Sequence, residues 1–269
     1  MSEGRASRRP PTTGDVARQF SEQAGNYAVS RIHQEGGTRL SLIEHMEPVM
    51  DESLLDVGTG PGPLALAFAP YVREATGFDV AEPMLRAARL AARRAGVGNL
   101  LLVAGDVHGL PFADRSFDLV TSRACPHHFT DISQAVREMA RVLKRGGRLG
   151  IADGTVPEDD ELDAFINGLD VLHDSTTVRN YRPSEWRGHV EGAGLRLDWM
   201  DEQAYELAEG HRLSEWIARS GASSAVLEEA RRRLLDAPER IRRYLRLRAE
   251  ADDLRFDLPR VVLVAKRVD

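Results

Sequence analysis

Short apolar runs alternate along this chain with longer stretches whose apolar positions recur every three or four residues, the pattern of a parallel sheet with crossover helices. The runs predict strands at Leu54–Val57, Glu74–Phe78, Leu100–Val103, Asp118–Ser122 and Arg148–Ala152. Helices are predicted between them at Pro63–Ala69, Pro83–Ala95 and Ile132–Leu143, the last two ending at Gly96 and Gly146-Gly147. Further helices over Glu161–Leu172 and Ser184–Ala193 precede a strand at Leu195–Met200, and a last strand spans Pro259–Arg267. Together these predict an α/β fold, doubly wound around a mostly parallel seven-stranded sheet with helices on both faces.

Two regions depart from the alternation. From Val16 to Met50, the positions Val16, Phe20, Ile32, Leu40, Ile43 and Met46 are spaced for helices interrupted at Gly25 and Gly36-Gly37. Between the last two strands a hairpin needs only a few residues, yet a long helical pattern intervenes from about His211 to Asp252. Its stripe Val226, Leu227, Ala230, Leu234 continues through Ile241, Tyr244 and Leu245, and reads as cover for the sheet, a substrate lid or a homodimer face. The expected organisation is a flexible tail at 1–14, a helical segment at 15–50, a core at 51–202 and 257–269, and a helical insertion, cap or interface, at 203–256.

Composition narrows the chemistry. A formal charge of −6 supplies no global attraction for nucleic acid, and the arginines of "RRRLLDAPERIRRYLRLR" are interleaved with acids as on a solvated face. The single cysteine, Cys125, excludes an intramolecular disulfide. The start lacks the apolar stretch of a secretory signal and no segment reaches membrane-spanning length, so a cytoplasmic protein is expected. No spacing suggests a metal site.

The chemistry concentrates at "LLDVGTGPGPLALAFA", where Gly58, Gly60 and Gly62 follow a strand ending and precede a helix. Such a turn exposes backbone N–H groups to a nucleotide-like ligand, although glycines also close ordinary strand-to-helix turns. A dinucleotide fingerprint needs glycine at position 63, where this chain has Pro63. The spacing Asp56-x-Gly58-x-Gly60-x-Gly62 instead resembles the first motif of class I S-adenosylmethionine-dependent methyltransferases. "GFDVAEPMLRAAR", "VAGDVHGLPFADRSFDLV" and "TSRACPHHFTDISQAVREMARVLKRGG" follow in that family's order, and the small-molecule members related to ubiquinone and menaquinone biosynthesis enzymes look most similar over Ser53–Asp153.

The resemblance implies a Rossmann-like fold, S-adenosyl-L-methionine as methyl donor and S-adenosyl-L-homocysteine as product. It places Gly58, Gly60 and Gly62 under the cofactor's methionine portion, and Asp56, Thr59 and Arg123 among the residues that bind the cofactor. Asp79 is expected on the ribose hydroxyls, Val80 and Met84 against adenine, and Asp106 with the Val107 N–H at its polar edge. His127 and His128, on the loop after the fourth strand, are candidates for a base or for positioning, and Tyr27 for closing over the sulfonium. His173, Arg179 and Tyr181 crowd a polar loop after the fifth strand where an acceptor pocket is expected, with Arg179 suited to an anion; a solvated connection capped by Ser184 is the other reading. The expected activity is methyl transfer to a small molecule by in-line displacement. An RNA or protein acceptor, or a regulator that binds the cofactor without turnover, are the alternatives.

Overall fold

The computed structural model describes residues 9–28 and 36–269; Ile32 and residues 1–8 of the expected tail lie outside them. Helix α1 (Thr13–Ala28) begins where the tail was expected to continue, because the Asp15 carboxylate accepts from the Thr12 N–H at 3.0 Å and from its hydroxyl at 2.7 Å. Helix α2 (Gly37–Met46) then leads into β1 (Ser53–Val57), which is buried along its whole length.

The elements that follow are α3 (Pro63–Phe68), β2 (Glu74–Asp79), α4 (Glu82–Ala95), β3 (Leu100–Ala104), β4 (Phe117–Arg123), α5 (Ile132–Val142) and β5 (Leu143–Gly154). After α6 (Asp160–His173) and α7 (Pro183–Gly192), β6 (Leu195–Ala204) closes the sheet's last edge. Helix α7 starts with Arg182 as its cap residue, whose N–H donates to Glu185 at 2.8 Å, and not at Ser184. The insertion holds β7 (His211–Arg212), α8 (Leu213–Arg219), α9 (Ser224–Asp236), α10 (Glu239–Tyr244), β8 (Arg248–Glu250) and β9 (Asp253–Phe256), ahead of β10 (Arg260–Arg267).

The main sheet has seven strands in the order β3-β2-β1-β4-β5-β10-β6. Six strands run in one direction, and β10 lies antiparallel to both of its neighbours, β5 and β6. The chain reverses its direction of winding between β1 and β4, and in open sheets of this kind the crevice at the carboxyl ends of those strands receives ligands.

Two-residue periodicity divides the core. Leu55 and Val57 of β1, with Val261, Leu263 and Ala265 of β10, pack with Val136, Met139 and Trp186 from α5 and α7. Leu54, Val262 and Val264 face the other way, onto Leu42, Met46, Leu64 and Phe68 from α2 and α3. A strand buried on both faces reads as a continuous apolar run, which is why β1 was legible.

The insertion was expected to be helical throughout. It is mixed: β7, β9 and β8 form a small antiparallel sheet, with Glu250 paired to Arg255 across the strands, Asp253 to Arg212 and to Arg231 of α9, and Arg248 to Asp257 just beyond β9. Its helices bury Trp216, Ile217, Ala230 and Leu234 against Leu162, Ile166 and Leu169 of α6, a core separate from the two on the sheet.

Candidate active site

The turn after β1 is fixed by a buried acid. The Asp56 carboxylate accepts from the hydroxyls of Thr59 at 2.7 Å and Thr121 at 2.9 Å, while burial pushes its pKa up to about 6. The N–H groups of Gly58 and Thr59 donate to the Phe78 carbonyl at 2.8 and 3.0 Å, which ties the turn to β2.

The three glycines serve different needs. A Cβ on Gly58 would stand 2.2 Å from Cys125 Sγ, so this position keeps the loop after β4 close to β1. Gly60 adopts φ +55° with open space where a Cβ would be, the situation of a turn that admits a ligand. Gly62 was expected to contact the cofactor, but it faces α4, its missing side chain admitting Ala88 at 3.1 Å. Pro61 and Pro63 line the cleft in its place.

That cleft, about 900 Å³, runs over the ends of β1, β2 and β4. Asp79 lies within it, with one carboxylate oxygen accepting from the Gly60 N–H at 2.8 Å and the other from the Ala81 N–H at 2.9 Å. Each oxygen retains a lone pair, and burial raises the group's pKa. Val80, Met84, Asp106 and Val107 line the same cleft. Asp106 uses one oxygen to hold the N–H of His108 at 3.0 Å and its Nδ1 at 2.5 Å. The cleft is covered by α1, which contributes Val16, Phe20 and Tyr27, the first two read from the sequence only as helix-packing positions. Arg123 also lines it, but its guanidinium is turned to Glu206 at 3.0 Å and to Thr38 at 2.9 Å.

A second chamber of about 650 Å³ shares Tyr27, Ala124 and His128 with the cleft. His127, on its wall, approaches Asp153 Oδ1 with Nδ1 at 2.6 Å, and its backbone N–H donates to Asp153 Oδ2 at 2.7 Å. Burial disfavours the imidazolium, yet the Asp153 charge and hydrogen bond outweigh it and raise the pKa above the ordinary histidine value. His128 titrates in the opposite direction: burial, and then His127 beside it, lower it to about 4. Its Nδ1 lies 3.2 Å from the Thr176 hydroxyl, and its ring stands edge-on to Phe20.

Of the three expected acceptor residues only His173 reaches the chamber. Arg179 is consumed by Asp163 at 2.8 Å and Glu185 at 3.0 Å, and Tyr181 is buried against Trp186 and His189. Both were placed in the pocket because they share a loop with His173; the loop's other face packs on α6 and α7. The reading missed Asp170, Arg219 and Arg260 on the chamber wall and Asp153 behind His127. Asp153 near the end of β5 obeys the strand-end rule that singled out Asp79, whereas Arg219 and Arg260 come from the insertion and the last strand with no local signal. Among the described residues no cluster of three or more His, Cys, Asp or Glu could hold a metal ion, and no helix is long and apolar enough to cross a membrane.

Comparison with known proteins agrees with this geometry. A methyltransferase-domain family model matches residues 55–151, from β1 into β5. The uncharacterized methyltransferase YcgJ of Bacillus subtilis is 39% identical over 202 residues, 75% of this chain and 78% of that protein. The crystal structure of YcgJ superposes with a TM-score of 0.79 at 31% identity, covering 86% of this chain and 98% of that one. The chain belongs to the class I S-adenosylmethionine-dependent methyltransferases. As a methyltransferase it takes S-adenosylmethionine as its methyl donor. A demethylmenaquinone methyltransferase of Roseiflexus castenholzii is 33% identical over 150 residues, 53% of this chain and 61% of that protein. The geranyl diphosphate C-methyltransferase of Streptomyces coelicolor, solved with S-adenosyl-L-homocysteine, shares the methyltransferase's fold with a TM-score of 0.59 at 16% identity, over 86% of this chain and 79% of that one.

Proposed function

We propose that this methyltransferase acts on a small-molecule acceptor held in the second chamber, with His127 as the group that takes the acceptor's proton. The observation that carries this reading is the junction of the two cavities at Tyr27, Ala124 and His128, with the His127–Asp153 pair on the acceptor side. When bound, the donor supplies an electrophilic methyl on a sulfonium, which an acceptor oxygen or nitrogen captures as the carbon–sulfur bond breaks and its electron pair stays on sulfur. Asp153 engages His127 Nδ1 and so leaves Nε2 as the nitrogen that accepts the proton. His128, held neutral by burial, forms part of the wall between the cavities and carries no charge that would repel a sulfonium.

In the cleft, the ring of Tyr27 faces the reacting region from α1, Asp79 takes the ribose hydroxyls, and Asp106 with the Val107 N–H takes the adenine edge. Gly58, Thr59 and Gly60 lie along the donor's amino-acid portion. Arg123 contributes through the Glu206 pair, as a positioning residue for the floor of the cleft. The 203–256 insertion acts as a cap, since Trp216 and Arg219 of α8 wall the chamber.

A chamber walled by Trp216 and Arg219 of α8 together with His173 and Asp174 favours a metabolite over RNA or protein, and the demethylmenaquinone methyltransferase relative supports that choice. The test is calorimetry with S-adenosyl-L-homocysteine, followed by turnover of labelled donor with a metabolite pool, total RNA and unfolded protein as separate acceptors. Label entering only the metabolite pool is the expected result; label in RNA or protein would overturn the acceptor reading. Asp79→Ala should weaken product binding about ten-fold or more, the effect of losing two charge-assisted hydrogen bonds.

A further inference from the structure

The chamber opposite His127 carries two guanidinium groups that no carboxylate of the described residues pairs within 4.0 Å, Arg219 hydrogen-bonding instead to the uncharged Tyr27 hydroxyl. Arg219 comes from α8 and Arg260 from the first residue of β10, and both line the chamber. Arg260 is 8% exposed. Neither makes an ion pair within 4.0 Å among the described residues; Asp170 lies within electrostatic reach of both, and Arg260 also faces the buried Glu206, whose ion pair is already taken by Arg123. Buried polar atoms without a hydrogen-bond partner include Arg219 Nη1, Arg260 Nε, His173 Nδ1, Asp174 Oδ2 and Asn180 Oδ1, and all five side chains wall this chamber.

Unsatisfied buried donors are costly, and two like charges brought together without a counter-ion add to that cost. The chamber's own acids do not discharge it. Asp153 is committed to His127, Asp170 accepts from the Asn180 amide, and Asp174 Oδ1 accepts from the Thr176 N–H at 2.8 Å and its hydroxyl at 2.6 Å. What the two arginines lack is an anion from outside the chain. A guanidinium presents its donors in a planar fork that matches a pair of carboxylate oxygens. Phosphate offers similar oxygens, but its second charge would face Asp170 and Asp174 on the chamber wall.

We infer that the acceptor carries a carboxylate, held by Arg219 and Arg260 while its nucleophilic group is presented to His127. This rests on the chamber being the acceptor site. The class is a small organic acid with a separate hydroxyl or amine to be methylated, and the arginines set specificity without touching the reacting atoms.

The test uses the full chain loaded with S-adenosyl-L-homocysteine and titrates benzoate, benzyl alcohol and phenyl phosphate by calorimetry, with Trp216 emission as a second signal. Benzoate is expected to bind at least ten-fold tighter than benzyl alcohol and tighter than phenyl phosphate. That preference should disappear in Arg219→Gln and Arg260→Gln and be largely restored in Arg260→Lys, with the thermal midpoint retained throughout as the check on folding and product affinity unchanged in the Arg260 variants, because Arg219 also contacts Tyr27 of the donor cleft. Equal binding of the neutral alcohol, no binding of benzoate, tighter binding of the phosphate, or a preference that survives both glutamine variants would each overturn the inference. Loss of product binding in the unaltered chain would strike the cofactor cleft instead, so the two failures are distinguishable.

Discussion

Arg123 Nη2 and Glu206 Oε2 stand 3.0 Å apart with their side chains 3% and 2% exposed, so the end of β4 is tied by an ion pair out of water to the segment that leaves β6. Thr38 joins them from α2, its hydroxyl donating to Glu206 at 2.7 Å. Burial raises the Glu206 pKa, but Arg123, and after it Arg260, more than offset this and hold it below the ordinary glutamate value. Removing one partner of such a pair is worse than replacing both, because the survivor stays buried and charged. Glu206→Leu should therefore cost about 3–5 kcal/mol, and Arg123→Met with Glu206→Leu less than the two singles combined. Urea unfolding measures both. The sign with pH follows: the pair's stabilisation is present above the unfolded carboxylate pKa and is lost as pH falls through the lower folded value.

The glycines separate folding from binding. Gly58→Ala puts a methyl group where Cys125 Sγ sits, at φ +68°, and should lower the thermal midpoint by several degrees. Gly60→Ala meets no atom within 4 Å, so only the left-handed backbone resists it, at a cost of about 1 kcal/mol. Its methyl group enters the cleft. Calorimetry should then show product affinity falling while the thermal midpoint moves little, and the opposite ranking of the two variants would contradict the assignment of Gly60 to the donor.

Acid should loosen this protein through His128. Its folded pKa of about 4 lies below the unfolded value, so the neutral buried ring contributes stability above about pH 6.5 that is lost as pH falls toward 4. The loss amounts to on the order of 3 kcal/mol for a shift of that size. His128→Asn should flatten the thermal midpoint against pH across that window. An unaltered slope would show that other groups govern it.

How far the sequence revealed this arrangement depends on whether a residue's partner lies near it along the chain. Strands such as Leu54–Val57 were legible because burial on both faces forces a continuous apolar run, and Asp79 because a strand end and a following helix mark its place. The strands Arg248–Glu250 and His211–Arg212 were not, since two or three residues rich in charge carry no periodicity. Arg179 and Arg219 show the same limit at the site. Both are arginines in polar surroundings, and only packing decides that Asp163 and Glu185 take up the first while the second walls the chamber. Gly62 kept its glycine for Ala88 of α4, a contact invisible in a motif.

The strongest kinetic test lies at Asp153, because its two oxygens are already assigned. Oδ2 accepts the His127 backbone N–H at 2.7 Å and Oδ1 faces Nδ1 at 2.6 Å. In Asp153→Asn the amide oxygen must stay with the backbone donor, so the NH2 group turns to Nδ1. Nδ1 then becomes an acceptor and the proton moves to Nε2, which can no longer take one from the acceptor. Turnover should fall by on the order of 10²–10⁴-fold, the range for loss of a positioned base. Product affinity should hold, since Asp153 does not line the donor cleft. In the unaltered enzyme, kcat/KM should rise with pH through a group above the ordinary histidine pKa, because Asp153 stabilises the imidazolium that must first lose its proton. Without that charge the limb moves to lower pH. A variant with wild-type turnover, or a pH limb that stays in place, would remove His127 from the chemistry and leave the chamber only as a binding site.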